Sequence, residues 1–186
     1  MKAEKLIYGV GVNDVDYPVN CLVDGKHERC PYYIRWIGMM RRVYSNSIPS
    51  SYVGCSVHPD WYRFSTFKDW MERQDWEGMH LDKDILFAGN RVYSQDTCAF
   101  VTRETNAFLI DRKSDRGEFP IGVTKNSGKF RAVISDKGKL VHLGSFSTPE
   151  EAHQAWRAAK YDLAVQLASE QTDPRVAAAL IERYKI

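Results

Sequence analysis

Apolar residues in the first half of the chain recur at helical spacing. CPYYIRWIGMMRRVYS (30–45) sets Tyr33, Ile37, Met40 and Tyr44 three or four residues apart behind a proline, which predicts a helix with that proline in its first turn. STFKDWMERQDW (65–76) predicts a second helix with Phe67, Trp70 and Met71 facing inward. The stretch between them, YVGCSVHPDWYRF, reads as loop with short extended pieces. After RKSDRGEFPI, a polar glycine-containing linker at 112–121, the period changes from helical to alternating. GVTK, KFRAVIS and KLVHLGSF are three short strands joined by the turn sequences NSG and SDKG. STPEEAHQAWRAAKYDLAVQLA then opens with Thr148 as cap, Pro149 in the first turn and Glu151 completing a capping box. Ala152, Trp156, Ala159, Leu163 and Leu167 give that helix one apolar face. DPRVAAALIERYKI (173–186) reads as a further helix whose role the pattern does not disclose.

The alternation in the strands assigns their faces. Phe130, Ala132, Ile134, Val141 and Leu143 form one apolar side, suited to pack against the long helix, with Ala132 small enough to let the helix approach. Arg131, Val133, Ser135, Leu140 and His142 form the other side, and nothing later in the chain obviously covers it. Between Lys113 and His142 seven basic residues (113, 116, 125, 129, 131, 137 and 139) stand against three acidic ones (115, 118 and 136). The whole chain carries a net charge of only +2, so this local clustering, not global charge, argues for a nucleic-acid partner. A two- or three-stranded ribbon fits the DNA major groove.

Cysteine usage adds little. Cys21, Cys30, Cys55 and Cys98 contain no C-x-x-C pair, the opening MKAEKLIYGVGVND lacks the apolar core of a signal peptide, and no apolar run approaches a membrane span. These features predict a cytoplasmic protein with reduced thiols. Cys21, His27 and Cys30 are potential zinc ligands, but their irregular spacing and the missing second pair argue for plain thiols.

GVTKNSGKFRAVISDKGKLVHLGSFSTPEEAHQAWRAA resembles the Apetala/ethylene-response-factor DNA-binding domain in the form found in phage and mobile-element proteins. The G-K-aromatic-x-A-x-I and L-G-x-F-x-T-x-E-E-A elements carry the resemblance. It implies that the open sheet face reads DNA through Thr124, Lys125, Lys129, Arg131, Val133, Ser135 and His142. Val133, Ser135 and Leu140 stand where the plant proteins tend to carry charged side chains, which shifts the expected balance toward phosphate contacts and away from base reading.

Upstream, HLDKDILFAGNRVYSQDTCAFVTRETN (80–106) resembles the core of HNH, or beta-beta-alpha-metal, endonucleases, with LDKDI, GNR, DTC and Asn106 in the family's order and at similar distances. The resemblance implies that Asp82 and Asn106 hold a divalent metal, magnesium by preference for hard oxygen ligands. Asn90 matches the middle asparagine, and Lys83 occupies the position of the general-base histidine. A histidine, with an ordinary pKa near ~6.5, is half-available as a base at neutral pH, whereas a lysine near ~10.4 is not. Lys83 therefore reads as a defect or as a fixed cation beside the phosphate, and His80, on the same side of a strand as Asp82, as a substitute base. The expected fold is α+β, with an HNH-like beta-beta-alpha-metal module over 1–111, the linker, a three-stranded antiparallel sheet packed on one helix over 122–170, and a C-terminal helix over 171–186. The expected function is that of a phage-type homing or nicking endonuclease on double-stranded DNA. Its rivals are a DNA-binding relative that does not cut and a phage factor that binds a host protein through the same scaffold.

Overall fold

The computed structural model describes residues 6–23, 25–110 and 117–186, and they form a mixed α+β chain. It divides into two compact units, Met1–Phe100 and Val101–Ile186. The boundary falls ahead of residue 111, so the helix carrying Asn106 belongs to the second unit.

The first unit opens with a hairpin of β1 (Asn20–Val23) and β2 (Lys26–Arg29), absent from the sequence reading. Helix α1 (Pro31–Tyr44) follows, with the proline in its first turn. Its deepest residues are Trp36, Met39, Met40 and Val43, one position round from the stripe that spacing picks out. Tyr33, Ile37 and Tyr44 pack on the flank of the same core, because this helix is apolar over more than half its circumference. Helix α2 (Phe64–Met71) buries Phe67, Trp70 and Met71 and ends five residues before the expected 76, where Gln74 Nε2 donates to the Trp70 carbonyl at 3.2 Å. Its start is held from a distance: Asp14 accepts the Ser65 N–H at 2.9 Å, the Ser65 hydroxyl at 2.7 Å and Arg63 at 3.1 Å. Burial disfavours the Asp14 carboxylate, but these donors hold its pKa below the usual range.

Large rings fill this core. Trp61 lies 5.0 Å from Phe67 edge-on and 4.6 Å from Trp70 between centroids, and its carbonyl accepts the Trp36 indole N–H at 2.7 Å. Short β3 (Ser56–Val57) runs parallel to β5 (Val92–Tyr93), and β4 (His80–Asp82) pairs with β6 (Ala99–Val101).

In the second unit, α3 (Arg103–Leu109) is capped by Thr102, whose hydroxyl accepts the Thr105 N–H at 3.1 Å. Strands β7 (Val123–Asn126), β8 (Lys129–Asp136) and β9 (Lys139–Phe146) form an antiparallel sheet in that order. Both connections are two-residue turns with positive φ throughout, Ser127–Gly128 (50° and 78°) and Lys137–Gly138 (46° and 80°), the geometry that matches strand twist. Helix α4 (Pro149–Ser169) carries the full capping box of Thr148 and Glu151, and Ala132 and Ala152 are completely buried where sheet and helix meet. Trp156 sits beside the Ile121–Gly122 turn. A Cβ on Gly122 (φ +78°) would lie 2.0 Å from the indole, and His153, stacked on Trp156, hydrogen-bonds the Ile121 carbonyl at 3.0 Å. Helix α5 (Pro174–Tyr184) packs on α4 through Val176 and Leu180, and its Tyr184 ring meets Phe108 edge-on at 5.2 Å.

Candidate functional site

The loop after β4 is built by side chains that bond its own backbone. Asp82 Oδ1 accepts the N–H groups of Asp84 and Ile85, each at 2.7 Å, which turns the chain sharply out of the strand. Asn90 closes the far end. Its amide donates to the carbonyls of Lys83 and Val92, each at 2.7 Å, and its Oδ1 accepts the Val92 N–H at 3.2 Å. Lys83 returns the contact, its ammonium donating to the Asn90 carbonyl at 3.1 Å and to Asp84 Oδ2 at 2.6 Å. The two side chains tie the loop reciprocally across seven residues.

Lys83 is turned inward and only 7% exposed, with its Nζ 6.0 Å from the ring centroids of both Tyr52 and Tyr93. An ammonium held by a carboxylate and a carbonyl is a donor and a fixed charge, and this geometry fits a cation better than a proton acceptor. Asp82 is half-buried, and among the described residues no hydrogen bond reaches its Oδ2. His80 is exposed at the start of β4, on the side of the strand that Asp82 shares. Asn106 is half-buried on α3 in the second unit, its N–H bonded to the Thr102 carbonyl at 3.0 Å.

Sequence reasoning missed the aromatic wall of this loop. Tyr93 is buried, which pushes its phenol well above the usual range, and the neighbouring Arg42 only partly offsets that. Burial also pushes the Cys98 thiol up to about 12, against hydrogen bonds from Ser94 and Thr97, so it is a packed thiol and not a nucleophile at neutral pH. Cys21 lies exposed on the β1–β2 hairpin and Cys30 packs on the core. Among the described residues no three of His, Cys, Asp and Glu converge as a metal cage.

The second candidate surface is the sheet. Register places Thr124, Arg131 and Ser145 side by side on the face away from α4, followed by Val133 with His142 and Ser135 with Leu140. Lys129 has the same parity as Arg131. Lys125 does not, because it pairs with Phe130 and so lies on the helix side, its ammonium 5.9 Å over the Phe130 ring. Leu140 is 80% exposed, so an apolar side chain stands in the open beside the cations. Among the described residues no carboxylate pairs with Lys125, Lys129, Arg131, Lys137 or Lys139. Lys113 and Arg116, the other two members of the basic cluster, and the first part of the linker lie outside the described residues.

Alternation breaks once in β9. Ala132 pairs with Gly144 but Val133 pairs with His142, so Leu143 is an extra residue in a bulge. Leu143 packs toward the helix as its parity in the sequence implies, and beyond the bulge Gly144 and Phe146, not Ser145, share that side. No helix is long and apolar enough to cross a membrane among the described residues. No protein-family model, curated protein or solved structure matches the chain.

Proposed function

We propose that the chain binds double-stranded DNA through the uncovered face of β7–β9 and acts as a nicking or homing endonuclease of the HNH type. One observation carries the binding half: a sheet face left open by the fold, surrounded by cations without carboxylate partners. Lys129 and Arg131 supply phosphate or guanine contacts, Thr124, Ser135 and His142 supply further hydrogen-bonding groups, and Val133 and Leu140 offer apolar contact to thymine methyls. Lys125 serves as a phosphate contact at the edge of the sheet, consistent with its position on the helix side.

The nuclease half rests on the loop. Asp82 keeps one carboxylate oxygen unengaged, a hard donor of the kind magnesium takes. A divalent cation on Asp82 would polarise the scissile phosphodiester and acidify water. His80, on the side of β4 that Asp82 shares, is the residue we assign to accept the proton from that water, with Lys83 as a fixed positive charge and Asn90 keeping the loop in shape. The inward, ion-paired Lys83 favours a second reading, in which the same chain binds DNA without cutting it.

Titrating duplex DNA against the full chain at increasing salt tests the first half, with a steep linear fall of log affinity against log salt as the expected result. A salt-independent affinity would favour a protein target instead. Supercoiled plasmid incubated with magnesium or manganese, then with chelator, separates cutting from binding alone, and Asp82→Ala should abolish any metal-dependent nicking.

A further inference from the structure

Arg42 holds a position that the DNA-binding face does not explain. It lies near the C-terminal end of α1, its guanidinium carbon 5.7 Å from the Tyr52 centroid and 5.9 Å from that of Tyr93. Lys83 Nζ lies 6.0 Å from the same two rings, so two cations share one pair of aromatic faces. Asp84 pairs with Lys83, and among the described residues no carboxylate pairs with Arg42. The Arg42 Nε–H is buried and has no acceptor. A half-buried guanidinium without a counter-ion, beside a second cation, is offset here only by the two ring faces and a hydrogen bond with the Tyr93 side chain.

We infer that Arg42 and Lys83, framed by Tyr52 and Tyr93, form an anion site that takes a phosphate group. Arginine's planar donor fork matches two phosphate oxygens, and a side-chain shift that frees the enclosed, unpartnered Nε–H supplies one arm of it. Lys83 neighbours Asp82 in the chain, so an anion here lies at the loop assigned to the metal. Only the source of the phosphate, a DNA backbone and not a free ion, rests on the function proposed above.

The test uses the full chain, a short duplex of about 20 base pairs, inorganic phosphate, and the variants Arg42→Gln and Arg42→Lys. Arg42→Gln should weaken duplex binding roughly tenfold or more and make the log–log salt slope shallower by about 0.9, the loss of one phosphate contact. Arg42→Lys should keep the slope, because charge is retained. A folded Arg42→Gln protein with wild-type slope would overturn the proposal. If that variant does not fold, the wild-type Arg42 Nε–H resonance decides. It should shift on adding duplex or inorganic phosphate, and a signal unmoved by both would overturn the site. A shift with inorganic phosphate alone keeps the anion site and assigns it to a free ion. If the wild-type chain binds no duplex at all, the DNA reading fails, while the phosphate titration still decides this one.

Discussion

The two compact units solve the problem of a small core in opposite ways. The first spends tryptophans and phenylalanines on an interior that is closed on all sides, with Trp36, Trp61, Phe64 and Phe67 almost wholly buried. The second seals its sheet with two alanines and a valine, Ala132, Ala152 and Val123, and leaves the other side of the same strands to solvent. A three-stranded sheet with one bare face buries little apolar area, so its stability depends more on turns, caps and close approach than on bulk. The difference shows where packing and open surface have been separated. In the sheet one face packs on α4, and the other is free for the binding proposed above. In the loop of the first unit the residues that hold the structure, Lys83 and Asn90, are the ones whose chemistry is in question.

The largest expected effect lies in the closed core. Trp61→Ala should cost about 3–5 kcal/mol, read by chemical denaturation, because the ring is fully enclosed. A cost no larger than that of a sheet substitution would break the contrast. In the second unit Gly122→Ala should cost about 3 kcal/mol. It places a side chain in the left-handed region and drives its Cβ into Trp156. Phe130→Ala, at a half-buried ring, should cost about 2 kcal/mol, below the fully buried range. Arg131→Ala on the opposite face should leave the denaturation midpoint unchanged while weakening duplex binding by about 1–3 kcal/mol. If Phe130→Ala weakened binding and Arg131→Ala unfolded the unit, the assignment of faces would be reversed. Smallest, Thr148→Ala should remove about 1 kcal/mol by uncapping α4.

Acid sharpens the comparison further. Asp14 has a folded pKa below its unfolded value, so the stability it contributes to α2 is present above the unfolded pKa and lost as pH falls through the folded one. Asp14→Asn should flatten the loss of first-unit stability below about pH 4, the ordinary range for Asp, as followed by tryptophan fluorescence.

What could be read from the chain was the local chemistry. Thr148, Pro149 and Glu151 act within one turn, and NSG and SDKG fix their hairpins through residues that tolerate positive φ, so the sheet and long helix were legible. The stripe on α1 was legible only to within one position, since a helix apolar on most sides does not declare its centre. The capping of α2 by Asp14 was not legible, because the partners stand 51 residues apart. Nor was the inward turn of Lys83, which depends on rings contributed by positions 52 and 93. Lys125 was assigned to the open face from the resemblance, and only the pairing with Phe130 moves it. For the loop, the acids and amides were visible as candidates, but which atoms were already engaged was not.

The extra residue at Leu143 gives the third strand two phases. Deleting it would let β9 pair with β8 as an uninterrupted ladder, with His142 outward, Gly144 inward, Ser145 outward and Phe146 inward, the sides they already occupy. If instead the ladder were made regular with Leu143 kept and the hairpin end at 139–142 in place, Ser145 would turn toward α4 and Phe146 toward solvent. The bulge therefore acts as a phase corrector. It absorbs an odd residue so that inside and outside are not exchanged over half a strand, and the same arithmetic warns that a gap placed one residue away in any alignment of such strands compares inward positions with outward ones.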